Sequence, residues 1–201
     1  MNSSGIILTG GESRRMGKPK YSLSFGGETL LQRSVRNLRG TVCPIAIVGA
    51  PGQDLPDIPQ VLSICDPVAN QGPLMGLMTG LKHVEGVSEW ALVTGCDMPF
   101  INNELIQCLK SHRTTESEIV IPRINEQFYP LCALYQTAIW RKAKLLLEKG
   151  ERRLLALVDV CSIQAVAQDA LARIDPNLQF LMNINTPQCY QSALELAGLQ
   201  Q

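Results

Sequence analysis

The chain has 201 residues, 45% of them hydrophobic and 18% charged, which is long enough to bury a sizeable core. Its 18 basic and 18 acidic residues cancel, which excludes the global positive field typical of nucleic-acid-binding proteins. No apolar segment approaches the roughly 20 residues that cross a bilayer. The N-terminus also lacks the pattern of a signal peptide, so we expect a cytoplasmic protein.

Apolar runs of strand length alternate with segments of helical periodicity along the chain. The expected strands are residues 5–8, 44–48, 60–64, 90–94, 118–121 and 131–135, and the expected helices are residues 29–38, 74–83, 103–111, 137–149 and 191–201. Thr29 is a candidate N-cap for the first helix, and Gly150 ends the fourth. This order predicts an α/β fold in a single domain over residues 1–201. We expect a Rossmann-like three-layer sandwich with a mostly parallel, doubly wound sheet.

The first strand leads into a glycine-rich loop with concentrated positive charge. Residues 8–20 read Leu-Thr-Gly-Gly-Glu-Ser-Arg-Arg-Met-Gly-Lys-Pro-Lys. Adjacent glycines let backbone N–H groups approach an anion, and the arginines and lysines can neutralise phosphate oxygens. The spacing matches neither the P-loop nor the dinucleotide-binding pattern G-x-G-x-x-G. The loop therefore predicts a polyphosphate site of a different family.

Two aspartates follow expected strands. Asp97 comes directly after the apolar run 90–95, and Asp66 follows the run 60–65. The carboxyl ends of parallel strands meet at one edge of a sheet, so loops 10–20, 66–76 and 97–100 are expected to line one crevice. Mg²⁺ prefers one or two carboxylates together with phosphate oxygens, which makes Asp97 the first candidate ligand and Asp66 the second. Ordinary turn chemistry before proline is the alternative for both.

Two further segments combine helix-start signals with unexplained residues. In residues 71–77, Gly-Pro opens a helix whose first turns also contain Gly76, which indicates either a close approach by a ligand or chain segment, or a tight helix–sheet contact. In residues 183–187, Thr186 and Pro187 are a typical N-cap and first helical residue. Capping does not explain the asparagines at 183 and 185.

Nucleophiles and soft metal ligands are few. The seven cysteines include no Cys-x-x-Cys pair, and only two histidines accompany them, so neither a zinc site nor a disulfide framework is expected. We interpret Cys96 and Cys132 as core residues because they lie in apolar runs, although Cys96 also stands beside Asp97, where a nucleophile is conceivable.

Taken in order, these motifs resemble the molybdopterin-type nucleotidyltransferases over nearly the whole chain. The motifs are residues 8–20, 71–77, 95–100 (Gly-Cys-Asp-Met-Pro-Phe), 129–135 (Tyr-Pro-Leu-Cys-Ala-Leu-Tyr), 150–153 (Gly-Glu-Arg-Arg) and 183–187 (Asn-Ile-Asn-Thr-Pro). The resemblance is greatest to the molybdenum cofactor guanylyltransferases. It implies a fold like that of the nucleotide-diphospho-sugar transferases and Mg²⁺-dependent transfer of GMP from GTP to the phosphate of molybdopterin, with release of pyrophosphate.

The resemblance also implies roles for individual residues. Arg15 and Lys20 would contact the triphosphate and, with Asp97, form the catalytic set, and Asp97 would hold Mg²⁺. The nucleotide-binding set would be Leu8, Thr9, Gly10, Gly11, Lys20, Asp66, Gly72, Pro73, Leu74 and Asp97. Residues 1–100 would mainly bind the nucleotide and residues 101–201 mainly the acceptor.

The acceptor side is less defined. Tyr129, Arg152, Arg153, Asn183 and Asn185 offer polar and cationic groups suited to an anionic pterin, while a solvated surface is the alternative for the two arginines. By the resemblance, the partners are GTP and molybdopterin, with possible contact to molybdenum-insertion or apo-molybdoenzyme proteins. Neither nucleic acid nor membrane is expected.

The sequence departs from the family pattern at two places. Thr9 stands where alanine is usual, and Gly49 where some relatives have a nucleotide-contacting asparagine. Related cytidylyltransferases usually carry Gly-Met and small polar residues where this chain has Gly72-Pro73-Leu74, so guanine is preferred over cytosine. The alternatives are a cytidylyltransferase or another nucleotidyltransferase of this fold, and a nucleotide-binding partner protein without turnover.

Overall fold

In the computed structural model, which describes residues 3–10 and 17–199, a single large sheet takes strands from both halves of the chain. The strands are β1 (Ser3–Leu8), β2 (Ser24–Phe25), β3 (Glu28–Thr29), β4 (Ile45–Gly49), β5 (Val61–Cys65), β6 (Trp90–Gly95), β7 (Ile119–Ile124), β8 (Gln127–Phe128), β9 (Cys132–Gln136) and β10 (Ile163–Ala167). The helices are α1 (Leu30–Leu38), α2 (Pro73–Val84), α3 (Asn103–Ser111), α4 (Trp140–Glu148), α5 (Gln168–Ala172) and α6 (Pro187–Leu196).

The main sheet has the order β10-β7-β9-β6-β1-β4-β5, with β8 paired to β7, while β2 and β3 form a separate hairpin. Strands β5, β4, β1 and β6 are parallel, and β9 is antiparallel to both β6 and β7. Leu8 pairs with Val48 on one side and Gly95 on the other, so these strands end together. The predicted α/β class with a mostly parallel sheet is confirmed.

Alternating strand residues bury on opposite faces of the sheet, as a two-residue period requires. In β1, Ile7 packs with residues of α1, α3 and α5 on one face, and Ile6 packs with residues of α2 and α4 on the other. Both isoleucines are fully buried. This gives the three layers expected from the sequence.

A third apolar cluster lies apart from the two sheet faces. It joins Phe25 of the hairpin and Leu30 of α1 to Ile184, Ala193 and Leu194. The cluster therefore packs the C-terminal segment against the hairpin and α1, and this determines where residues 183–186 lie.

The helix starts follow the local signals closely. Thr29 caps α1, since its Oγ1 accepts from the Gln32 N–H at 3.2 Å while Gln32 Oε1 accepts from the Thr29 N–H at 2.8 Å. Thr186 caps α6, which begins at Pro187 as the local signals predict and ends at Leu196, so the expected bounds 191–201 of the last helix are wrong. Strand β10 and the β2–β3 hairpin were not anticipated. No helix in the described ranges is long and apolar enough to cross a bilayer. The single domain and its two functional halves stay predictions.

Candidate active site

A cleft of about 1190 Å³ opens at the carboxyl ends of β1, β4, β5 and β6. All three loops expected to line one crevice contribute to it. The residues from the implied nucleotide-binding set that line it are Leu8, Thr9, Gly10, Lys20, Asp66, Gly72, Pro73 and Asp97. Leu74 is the exception, because its side chain is fully buried between α2 and the sheet. Gly11 and Arg15 lie outside the described residues.

At the β6 end of the cleft, Lys20 joins two segments that are distant in sequence. Its Nζ donates to Asp97 Oδ2 at 2.8 Å and to Asn185 Oδ1 at 2.6 Å. The side chains of Lys20 and Asp97 are 20% and 16% exposed, so the pair is largely shielded yet open to the cleft. Charge-assisted bonds of this length are roughly twice as strong as neutral ones. The cation and the carboxylate are therefore held side by side. We call Lys20, Asp97 and Asn185 the charged end of the cleft.

The backbone around Asp97 determines where its carboxylate lies. A Cβ on Gly95 would collide with Asp97 Oδ1, so only glycine leaves room for this side chain to fold back over the end of β6. The Asp97 carbonyl accepts from the Ile184 N–H at 2.9 Å. Ile184 is fully buried in the third cluster. The apolar packing of the C-terminal segment thus supports the charged end.

The charged end explains one of the two asparagines that capping left unexplained. Asn185 bonds to Lys20. Asn183 Oδ1 is buried and has no hydrogen-bond partner in the described part of the chain. A buried, unsatisfied amide oxygen is costly unless a ligand, ion or water completes it.

Asp66 lies at the end of β5, and its N–H donates to the Gly49 carbonyl at 2.9 Å. Its Oδ1 is buried without a hydrogen-bond partner among residues 3–10 and 17–199. Burial raises the pKa of this carboxyl, and the Thr79 hydroxyl opposes the shift only in part. Unlike Asp97, this carboxylate accepts no hydrogen bond from a lysine in the described part of the chain.

The two glycines near the start of α2 give room to neighbouring chain segments. A Cβ on Gly76 would lie 3.3 Å from Leu8 Cδ2 and 3.6 Å from Asp66 Oδ2. Gly72 has φ +72°, and a Cβ there would lie 3.0 Å from the Arg152 carbonyl oxygen. That carbonyl also accepts from the Leu74 N–H at 3.3 Å. For Gly76 the structure therefore shows the tight helix–sheet contact, because Leu8 belongs to β1, while Gly72 is approached by another chain segment at Arg152.

The acceptor candidates are dispersed. The Arg152 guanidinium donates to the carbonyls of Leu147 and Glu151 at 3.0 and 2.7 Å, which is a structural role. Arg153 is 78% exposed and pairs with Glu151. Tyr129 lines a second cavity of about 530 Å³ that also includes Gln179 and Leu196. Among the hydrogen bonds of the described residues, Asn185 is the one candidate of the five that bonds to Lys20.

Gln53 is among the cleft-lining residues that sequence reasoning missed. Gln53 follows β4, in a segment rich in Pro, Gly and Asp. Its Oε1 accepts from the Ala50 N–H at 2.9 Å and lies 3.3 Å from Thr9 Oγ1. The available signal was positional, since a loop at the carboxyl end of a strand next to β1 must border the same crevice.

The oxygen atoms available in the cleft suit a Mg²⁺ ion that takes most of its ligands from a bound nucleotide. In the described part of the chain, no three His, Cys, Asp or Glu side chains come together as a metal cluster. Asp97 offers Oδ1, which accepts no hydrogen bond from described residues, beside a cleft large enough for a nucleotide. One carboxylate supplemented by phosphate oxygens and water is an ordinary arrangement for Mg²⁺.

Comparison with known proteins assigns this arrangement to a family. A model described as the MobA-like NTP transferase domain matches residues 5–168. The chain belongs to the MobA-like NTP transferase family. Family membership confirms the resemblance found in the sequence, and the chain is a nucleotidyltransferase.

Individual relatives agree with the family. A protein named probable molybdenum cofactor guanylyltransferase from Mycobacterium avium is 37% identical over 190 residues, 92% of each chain. The structure of molybdopterin-guanine dinucleotide biosynthesis protein A from Archaeoglobus fulgidus superposes with a TM-score of 0.81 at 22% identity, covering 97% of this chain and 98% of that one. A 2-C-methyl-D-erythritol 4-phosphate cytidylyltransferase from Thermus thermophilus gives 0.68 at 19% identity, with 99% and 100% covered. At these identities the two structures show the fold alone.

Proposed function

We propose that this chain transfers GMP from GTP to the phosphate of molybdopterin that carries molybdenum, forming the guanine dinucleotide cofactor and pyrophosphate. The name of the Mycobacterium avium relative supplies the nucleotide and the acceptor. The observation that carries the chemistry is the Lys20–Asp97 pair at the head of a nucleotide-sized cleft. It combines a fixed cation with a carboxylate able to hold a metal.

In this reaction an oxygen of the acceptor phosphate attacks the α-phosphorus of GTP, and the bond from that phosphorus to the bridging oxygen of pyrophosphate breaks in line. Lys20 places its ammonium where negative charge develops on the phosphate oxygens. Asp97 would hold Mg²⁺, which when bound neutralises phosphate charge. The remaining task of the protein is to position both substrates.

A side-chain nucleophile is not needed for direct transfer. Cys96, next to Asp97, is 4% exposed, and burial raises the pKa of its thiol far above the ordinary value, with the Asp97 charge acting in the same direction. A thiol in this environment stays protonated and unreactive. Cys96 is therefore a core residue in the proposed mechanism.

We place the acceptor phosphate at the charged end, near Asn183 and Asn185. The support is the bond from Lys20 Nζ to Asn185 Oδ1, which brings a cation and an amide with a donor nitrogen together at this place. A cytoplasmic location fits the seven cysteines, all of which are free thiols, as is usual in reducing compartments. Contact with molybdenum-insertion or apo-molybdoenzyme proteins is proposed on the family resemblance.

The deciding experiment measures pyrophosphate release from purified protein, Mg²⁺, GTP and molybdopterin with and without molybdenum. We expect release that depends on the acceptor, and a product whose mass equals that of the acceptor plus GTP minus pyrophosphate. Parallel reactions use CTP and ATP. Turnover with CTP in place of GTP would make the chain a cytidylyltransferase, and GTP binding without turnover on loaded acceptor would make it a nucleotide-binding module. Either result overturns the proposal.

A further inference from the structure

The β4 end of the cleft, defined by Thr9, Ala50 and Gln53, presents an oriented neutral amide. Gln53 Oε1 accepts from the Ala50 N–H at 2.9 Å, and Gln53 Nε2 lies 3.5 Å from the Thr9 carbonyl oxygen. Because the amide N–H of Ala50 can only donate, the oxygen of the Gln53 side chain must face it. The Nε2 group of Gln53 therefore points away from Ala50, where it can donate hydrogen bonds.

Thr9 contacts this amide, and Gly49 leaves room for it. Thr9 is 7% exposed, and its Oγ1 lies 3.1 Å from the Val48 carbonyl and 3.3 Å from Gln53 Oε1. A Cβ on Gly49 would lie 3.0 Å from Gln53 Oε1 and 2.8 Å from Leu55 Cδ1. Because residue 49 at the end of β4 is glycine, the Gln53 amide can occupy the space where a side chain would lie.

One hydrogen of Nε2 remains for a ligand. Gln53 Nε2 has two donor hydrogens, and the Thr9 carbonyl is its one acceptor within residues 3–10 and 17–199. Gln53 lines the cleft and is only partly exposed. A fixed donor beside a ligand cleft is the arrangement by which proteins distinguish hydrogen-bonding edges.

The sheet order indicates which part of a nucleotide reaches this amide. Strand β4 is two positions from β6, with β1 between them. At about 4.8 Å per strand, the two loops are separated by roughly 10 Å. That span is comparable with the distance from the phosphates of a nucleotide to its base. With the phosphates beside Lys20, the base lies toward the β4 end.

We propose that Gln53 is a specificity-determining residue, whose Nε2 donates to the O6 atom of guanine while Thr9 fixes the amide orientation. This rests on the proposed function. Guanine presents an acceptor at O6, whereas adenine presents the N6 amine and cytosine the N4 amine, both donors. An amine facing Nε2 leaves two donors unpaired in a partly desolvated site, which disfavours those bases.

The test compares GTP with 2-aminopurine riboside triphosphate, which keeps the 2-amine and lacks O6. In the wild type we expect kcat/KM for GTP to exceed that for the analogue by about ten-fold to a hundred-fold. Gln53→Met keeps the length of the side chain and removes its hydrogen bonds. It should lower kcat/KM for GTP by a similar factor while changing the value for the analogue by less than about three-fold, so the preference collapses.

The control is Gln107→Met, the same chemical change at an exposed position on α3. It should keep the wild-type preference for GTP. If Gln53→Met loses activity equally with both nucleotides, or keeps the wild-type preference, Gln53 only supports the loop and the inference is wrong. A wild type that turns over CTP but not GTP would instead defeat the proposed function, so the two failures are distinguishable.

A second variant covers the case in which Gln53→Met does not fold. Thr9→Val keeps the shape of residue 9 and removes the hydroxyl near Gln53 Oε1. It should reduce the preference for GTP over the analogue several-fold by freeing the amide. Binding of the two nucleotides to the wild type, measured by calorimetry, gives a readout independent of turnover. Equal affinity for both would overturn the inference.

Discussion

The two ends of the cleft are built by different means. At the charged end, the Lys20 ammonium donates to Asp97 and Asn185. These residues lie 77 and 165 positions further along the chain. At the β4 end, Gln53 bonds to Ala50, three positions away, and to Thr9, through neutral groups. Both ends use contacts between distant segments, since Thr9 is 44 positions from Gln53, and they differ in that the first uses charged groups and the second neutral ones.

This difference matches a division of labour. Phosphate groups are common to all nucleoside triphosphates, and a cation attracts them with little dependence on angle. A base edge is distinguished by donor and acceptor positions, which requires directional neutral hydrogen bonds. Changes at the charged end should therefore alter the rate with every nucleotide, and changes at the β4 end should alter the choice among nucleotides.

The largest effect is expected for Asp97→Asn at the charged end. The amide keeps the size of the side chain but loses the negative charge that would hold Mg²⁺, so turnover with GTP should fall by about a hundred-fold or more. The measurement is initial rate as a function of Mg²⁺ concentration, together with a thermal melt to show that the variant is folded. The turnover rate should fall by the same factor with every nucleotide that the enzyme accepts.

Asp159→Asn, at an exposed position that does not line the cleft, provides the matched control and should leave the rate unchanged. Near-normal turnover of Asp97→Asn at limiting Mg²⁺ would show that Asp97 is not the principal ligand. Asp66 would then become the better candidate.

A smaller loss is expected for Lys20→Met. The substitution removes the ammonium beside Asp97, so kcat/KM for GTP should fall by about ten-fold to a hundred-fold. Because the Asp97 side chain is only 16% exposed, removal of the ammonium leaves a largely shielded carboxylate without this partner, so the free energy of unfolding should fall by more than the roughly 1 kcal/mol typical of an exposed pair. Lys144→Met, which breaks an exposed pair with Glu148, is the control. Unaltered GTP kinetics would remove Lys20 from the catalytic set.

Local signals predicted the strands and helices because they act within a few residues. The N-caps at Thr29 and Thr186 are examples, and both form where the sequence indicates. The antiparallel direction of β9 and the pairing of β10 with β7 depend on packing between distant segments. Periodicity in residues 163–167 did not separate a strand from an irregular segment, so β10 was missed.

The site was predictable where charge and glycine mark it and hidden where packing creates it. Asp97 and Asp66 stand out in the sequence because they follow apolar runs, and Lys20 because it lies in the cationic glycine-rich loop after the first strand. The contact of Asn185 with Lys20 depends on Ile184 being buried in the third cluster, which no local pattern shows. Gln53 resembles an ordinary loop residue until its hydrogen bonds to Ala50 and Thr9 are known.

The smallest effect on function is expected for Asp66→Asn, and this variant should be more stable than the wild type, not less. Burial raises the pKa of Asp66 above its ordinary value of 3.8, so the folded state binds the proton more tightly than the unfolded state does. The ionised carboxylate therefore destabilises the fold at every pH above the raised pKa. This cost shrinks as the pH falls through the raised pKa and is gone below 3.8, where both states are protonated.

Asp66→Asn should thus melt slightly higher than the wild type at pH 7, with the difference shrinking as the pH is lowered toward 4, while its affinity for GTP decreases. Such a gain in stability at the expense of function is typical of binding sites. Melting curves over this pH range and GTP titrations measure both effects. Asp57→Asn, an exposed change on the neighbouring loop, should show neither. A lower melting temperature for Asp66→Asn at pH 7 would mean that the carboxylate stabilises the fold, and Asp66 would then resemble Asp97 in having a favourable partner.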